Sequence, residues 1–380
     1  MNVVQWQWSE SAGWSPGPPS AGAIPDAQVV LAFAGTAALK ASGALELIRH
    51  AFPDAHVFGC TTAGEILGNA VRHGSVAVTA LALDRARVVP AAVPIHSSER
   101  SFEAGQRLAQ KFPASGLRHL FVVSDGLLVN GSELVDGLCG VLPPGVAVTG
   151  GLAGDGDHFQ ETYVWCDSDP RPAVVAALGF YGDSLRIGLS PSAGWDPFGP
   201  VRVVTKSRRN VLYELDGQPV LALYRRYLGE YATDFPVSGQ SFPLEVLGEQ
   251  GQDGVLRGLQ AIDETEQSVT YAGNIPEGAH ARLMFGSIEH LVAGAQAAGE
   301  SAAAQLAGIA PQFSLLISCN GRRSVLGPQL DEEIEAVGAA LGDRCYLAGF
   351  YSYGEIAPVR LGCRAQLLNQ TMTVTSLAEV

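Results

Sequence analysis

No uninterrupted apolar run in this 380-residue chain approaches the length that a membrane-spanning helix needs. The first residues also lack the basic-then-apolar pattern of a secretory signal. Six cysteines are scattered without a C-x-x-C pair, which suits reduced thiols better than a disulfide framework or a zinc site. None of the eight histidines stands in an H-E-x-x-H or similar metal spacing. Charged residues are only 16% of the chain and carry a formal net charge of -14, so the long-range field repels nucleic acid and anionic lipid. Together these absences describe an ordinary cytoplasmic globular protein with no nucleic-acid partner and no membrane insertion.

What the chain has in quantity is glycine, 45 residues of it, with a 47% apolar fraction. Its glycines fall into a pattern. FGCTTAGEI (Phe58 to Ile66) and GFYSYGEI (Gly349 to Ile356) share one template: Gly, two residues, a hydroxyl residue, one residue, Gly, Glu, Ile. Each copy follows an apolar strand-like run and a helical segment. VVLAFAG, then ALKASGALELIRHAF, leads to the first copy; FSLLISCNG, then QLDEEIEAVGAAL, leads to the last. HLFVVSDG, GSELVDGLCGVL and GVAVTGGLAGDG repeat the same grammar in between, with GGLAGDG in place of the phrase. Three passes make an internal repeat. Strands of alternating or β-branched character follow each glycine-rich turn, so the expected fold class is α/β, with repeated strand-helix-strand units and mixed, largely antiparallel sheets covered by helices. Residues 1–27, with Trp6, Trp8 and Trp14 ahead of SPGPPSAGAIP, read as a tail that docks onto the body through its tryptophans.

The motifs VFGCTTAGEI, TGGLAGDG with a Thr-aromatic strand behind it, ELDGQPVLALYRRYLG, SCNGRR with a downstream DEEIEAV helix, LAGFYSYGEIAP and LNQT, in that order, resemble the FIST domain family over residues 28 to 377. The resemblance implies an N-terminal FIST part at 28–215 and a C-terminal one at 216–380. It also implies a sensor and signal-transduction protein that binds a small molecule and reports to a separate signalling partner such as a histidine kinase. The specific version it favours is haem with nitric oxide; amino-acid-like ligands without haem are the rival.

The residues themselves allow several roles. Glycine lets a strand turn sharply and approach a ligand or neighbour closely, a hydroxyl can hold the turn, and a carboxylate can accept from exposed N–H groups. Glu65 and Glu355 would thus brace two joints; the competing reading makes them an acid and base pair in an enzyme. The nucleophile-elbow pattern is broken by Phe350, and GGLAGDG lacks the phase of a dinucleotide loop. Ligands of α/β sheets sit beyond the carboxyl ends of strands. That rule gathers Gly59, Thr62, Gly64, Glu65, Ser124, Asp125, Gly150, Gly151, Asp155, Arg322, Tyr351, Ser352 and Glu355 as ligand-binding candidates, with no catalytic residue among them. Arg322 would clamp a carboxylate or a haem propionate, and Tyr351 would line an apolar ligand. His158, immediately beyond the glycine-rich loop, is the first residue to test as a haem-iron ligand.

Overall fold

VVLAFAG folds as the strand Val29–Ala34, buried along its whole length, as a strand covered on both faces must be. The computed structural model describes residues 1–380 apart from 233, 234, 236, 237, 249–253 and 361. Helices Thr36–Ser42 and Ala44–Ala51 carry the chain from Val29–Ala34 to its parallel partner His56–Thr61. Ser75–Ala82 pairs antiparallel on the other side of Val29–Ala34. The two further passes seen in the sequence build the same arrangement. Leu117–Ser124 and Ala147–Leu152 are parallel across helix Gly131–Val141, with Val174–Tyr181 antiparallel. Phe313–Cys319 and Tyr346–Ser352 are parallel across helices Asn320–Leu326 and Leu330–Leu341, with Met372–Glu379 antiparallel.

Each of these three sheets has six strands built on the same order of two parallel strands and one antiparallel strand, and each is extended by a strand from another unit. The first joint sends Glu65–Leu67 to pair with Tyr346–Ser352 in the third sheet. The last joint sends Glu355–Pro358 to Ala147–Leu152 in the second. Beyond the middle joint, Val164–Cys166 returns to His56–Thr61 in the first. Strand exchange is therefore cyclic. Phe33, Phe58, Phe121, Phe180, Phe313 and Phe350, drawn from all three sheets, share one buried cluster. Burying each such ring stabilises by about 1.5–3 kcal/mol. Helices cover the other faces, with Ile48 and Phe52 on the first sheet and the helices Ile288–Ala304 and Leu330–Leu341 on the third. The fold class is the expected one.

The amino-terminal segment departs from the expectation. Asn2–Ser9 is no docked tail but a strand paired antiparallel with Ser75–Ala82 over its full length, and Gly13–Ser15 hairpins back onto it. Trp6 is buried against Phe52, so the tryptophan does anchor the segment, as one residue of a strand face. NVVQWQWS is polar enough to look like tail because its strand lies toward the sheet edge and is only partly buried, and Gln5 donates to Thr79 Oγ1 and Leu347 O.

Residues 195–286 add a fourth sheet with its own apolar core around helix Val220–Leu228. The boundary expected between residues 215 and 216 falls in its tight hairpin, where Asp216 and Gly217 both have positive φ. Among the described residues no helix is long and apolar enough to cross a membrane.

Candidate functional site

The three joints meet at one end of the molecule, where the parallel strands finish. Gly59, Gly150 and Gly349 lie opposite Ala32, Val122 and Leu316 on the neighbouring parallel strand. A Cβ at these glycines would stand 1.7, 1.8 and 1.8 Å from those residues' carbonyl oxygens. The glycines that open the repeated phrase are therefore set by backbone contact between strands and touch no ligand space. Backbone bonds close the ring of joints: Ala63 N to Tyr351 O at 2.9 Å, Leu152 N to Gly354 O at 2.8 Å, and Gly154 N to Thr61 O at 3.0 Å.

The two phrase glutamates have matching surroundings. Glu65 Oε1 accepts from Thr62 Oγ1 at 2.6 Å, and Oε2 accepts from the backbone N and Oγ of Ser75 at 2.9 and 2.8 Å. Glu355 Oε1 accepts from Ser352 Oγ at 2.8 Å, and Oε2 from the backbone N and Oγ1 of Thr371 at 3.2 and 2.8 Å. Each carboxyl thereby ties its own turn to the start of the return strand. The middle joint uses aspartates instead. Asp125 accepts from the backbone N of Leu127, Leu128 and Ala173, while Asp155 accepts from those of Phe159, Gln160 and Glu161 and from the Tyr353 hydroxyl.

Burial outweighs these hydrogen bonds and raises Glu65 to about 7 and Glu355 to about 8 from an ordinary 4.5. The folded protein then holds these protons more tightly than the unfolded chain. Their stabilising contribution is complete below about pH 4.5 and is lost as pH rises through about 7 and 8, on the order of 3 kcal/mol for Glu65 and 5 kcal/mol for Glu355. Urea midpoints are expected to fall between pH 5 and pH 9. The double variant Glu65→Gln, Glu355→Gln should flatten that fall, because an amide can donate to the hydroxyl and accept from the backbone as the protonated acid does. An equal fall in the double variant would refute the assignment.

Beside the first joint opens a cleft of about 570 Å³ whose walls include Thr62, Gly64, Glu65 and Asp155. Its other walls are charged. Lys40, from the helix Thr36–Ser42, pairs with Glu161, and Arg323, from the helix Asn320–Leu326, pairs with Asp157. His73 is half-buried there; burial first, then the Arg323 charge, holds its imidazole below the usual range and so neutral. Thr36 Oγ1, on the same wall, is buried with no hydrogen-bond partner among the described residues. His158 sits exposed on the rim.

Of the remaining candidates, Gly151 lies within its strand and Ser124 is buried, donating to Asp125 O at 3.2 Å. Neither Arg322 nor Tyr351 lines the cleft. Arg322 is fully buried, with Nε donating to Glu333 Oε1 at 2.7 Å and Nη2 to Leu291 O at 2.8 Å, and the Tyr351 hydroxyl donates to Glu333 Oε2 at 2.6 Å. Ser352 lines a second, smaller crevice, and the Glu355 that it holds is buried. Sequence reasoning missed Lys40, Asp157 and Glu161. The charged run DGDHFQE directly behind GGLAG was the available sign for the last two.

The FIST N domain family model matches residues 28–218, and the FIST C domain model matches residues 221–358. A search of curated proteins found no match. Both halves of the family's architecture are thus present in order, and the chain belongs to the FIST family, whose domains sense small ligands in signalling proteins.

Proposed function

We propose that this protein is a sensor of an amino-acid-like zwitterion, bound in the cleft at the first joint, and that it reports to a separate signalling protein such as a histidine kinase. The observation that carries the reading is the pairing of charges on the cleft wall. Lys40 with Glu161, and Arg323 with Asp157, are pairs that a zwitterion can enter at both ends, its carboxylate taking the guanidinium and its ammonium a carboxylate. The unpartnered Thr36 hydroxyl adds a neutral hydrogen-bonding group to the same wall. Glu65 and Glu355 act in this reading as braces with their acceptor oxygens already engaged, and neither has a catalytic role.

The haem and nitric-oxide version fits these residues poorly. A porphyrin needs apolar walls against both faces, and the cleft offers little besides Ala37 and Ala63 among its charges. His158 is exposed on the rim. His119 is buried in the core, hydrogen-bonded through Nε2 to Thr149 and stacked on Phe180. Two titrations decide between the versions. A panel of free amino acids is expected to raise the unfolding temperature for one or a few members, and added haem is expected to give no stoichiometric Soret band. A strong Soret band that vanishes on replacing His158 or His73 would overturn the proposal in favour of haem.

A further inference from the structure

The segment LNQT plays no part in the cleft at the first joint. Its Thr371 braces Glu355, while Asn369 and Gln370 line the crevice at the third joint beside Ser352, Tyr353 and Phe159. Both residues are 1% exposed. Yet Asn369 Nδ2, Asn369 Oδ1 and Gln370 Oε1 are buried with no hydrogen-bond partner among the described residues. Turning the Asn369 amide over exchanges two ends that are both unpartnered, so this does not depend on its orientation. Burying such groups opposes folding, and proteins rarely keep them without a use.

A second observation marks the same place. Gln370 has φ of +62°, a left-handed backbone that a non-glycine residue holds at a cost and that concentrates at ligand sites. Its side-chain amide lies flat against Gly321, where a Cβ would meet Gln370 Nε2 at 2.3 Å. Nε2 itself donates to Gln240 O at 3.1 Å, so Oε1 is the unpartnered atom of an amide that lines the crevice.

The unpartnered atoms specify a ligand by their hydrogen-bonding sense. Asn369 offers a donor nitrogen and an acceptor oxygen, and Gln370 an acceptor oxygen. Their complement is a group with two N–H donors and one carbonyl acceptor on a single carbon. We infer that this crevice binds a primary carboxamide head group. A carboxylate supplies no donor and would set its oxygens against two acceptors. The cavity of about 40 Å³ has room for the head group, and the stacked rings of Phe159 and Tyr353, 4.4 Å apart, stand beside it. The inference rests on the reading that this end of the protein receives small ligands, but on different residues from the cleft, so either can fail alone.

The test is thermal unfolding of the full chain with propionamide, propionate and N,N-dimethylpropionamide. Propionamide should raise the unfolding temperature and the other two should not. Asn369→Leu should weaken propionamide binding on the order of tenfold or more, through loss of two hydrogen bonds. It should also raise the unfolding temperature of the ligand-free protein, because it removes an unpartnered amide while keeping its shape. If Asn369→Leu does not fold, Gln370→Met removes the third atom and should weaken propionamide in the same way. Equal protection by propionate, no protection by propionamide, or an undiminished response in these variants would overturn the inference. An amino acid that still binds Asn369→Leu but not Arg323→Gln would uphold the cleft reading whatever propionamide does.

Discussion

Alanine in place of Gly349 is expected to destabilise the protein by about 4 kcal/mol or more, a large part of a typical domain's whole stability. The added methyl would stand 1.8 Å from Leu316 O, and that oxygen belongs to the backbone of a central parallel strand that cannot rotate aside. Ordinary overpacking costs about 1–3 kcal/mol because side chains can shift; here no side chain is available to move. Gly59→Ala and Gly150→Ala meet the same obstacle at Ala32 O and Val122 O and should behave alike. Gly140→Ala is the control. Gly140 lies near the end of helix Gly131–Val141 with open space at its Cβ, so alanine there should be neutral or stabilise by up to about 1 kcal/mol. Urea unfolding of the four variants checks all of this, and a mild effect at Gly349 would contradict the account of the joints.

Replacing Arg322 by methionine is expected to cost about 3–5 kcal/mol, because it strands the Glu333 carboxylate in the core. Both side chains of this pair are fully buried. Ser318 and Tyr351 hydroxyls also donate to Glu333, and the Arg322 guanidinium reaches the carbonyls of Ala193 and Leu291. Removing both charges together, as Arg322→Met with Glu333→Leu, should recover much of the loss. The comparison of single and double variants by equilibrium unfolding reads the coupling directly. A single variant as stable as the wild type would mean that Arg322 is available to a ligand after all.

That arginine also shows where sequence reasoning stops. SCNGRR marks a strand end, and Phe313–Cys319 does end there. Arg322 and Arg323 look interchangeable in the sequence. On the helix Asn320–Leu326 successive residues point about 100° apart, so one enters the core and the other reaches the cleft. Long apolar runs such as VVLAFAG and FSLLISC were legible because a strand buried on both faces has no polar positions to confuse the pattern. The repeat of the joint was legible for a steric reason: only glycine fits against the neighbouring strand's carbonyl. The cyclic exchange was not, since Glu65–Leu67 and Val164–Cys166 are three residues each and carry no mark of which sheet edge will take them. The cleft was half legible. Thr62, Gly64, Glu65 and Asp155, picked out at strand ends, and His158, picked out as a haem-iron candidate, stand on its walls, but its other charges come from two helices, Lys40 and Arg323, and from the loop residues Asp157 and Glu161.

The central claim, that the cleft beside the first joint is the ligand site, is tested most directly by titration calorimetry. The amino acid that best stabilises the protein would be titrated into the wild type and into Arg323→Gln. Saturable one-to-one binding to the wild type, weakened on the order of tenfold or more in the variant by loss of a charge-assisted contact, is the predicted result. Equal affinity for both proteins would contradict it.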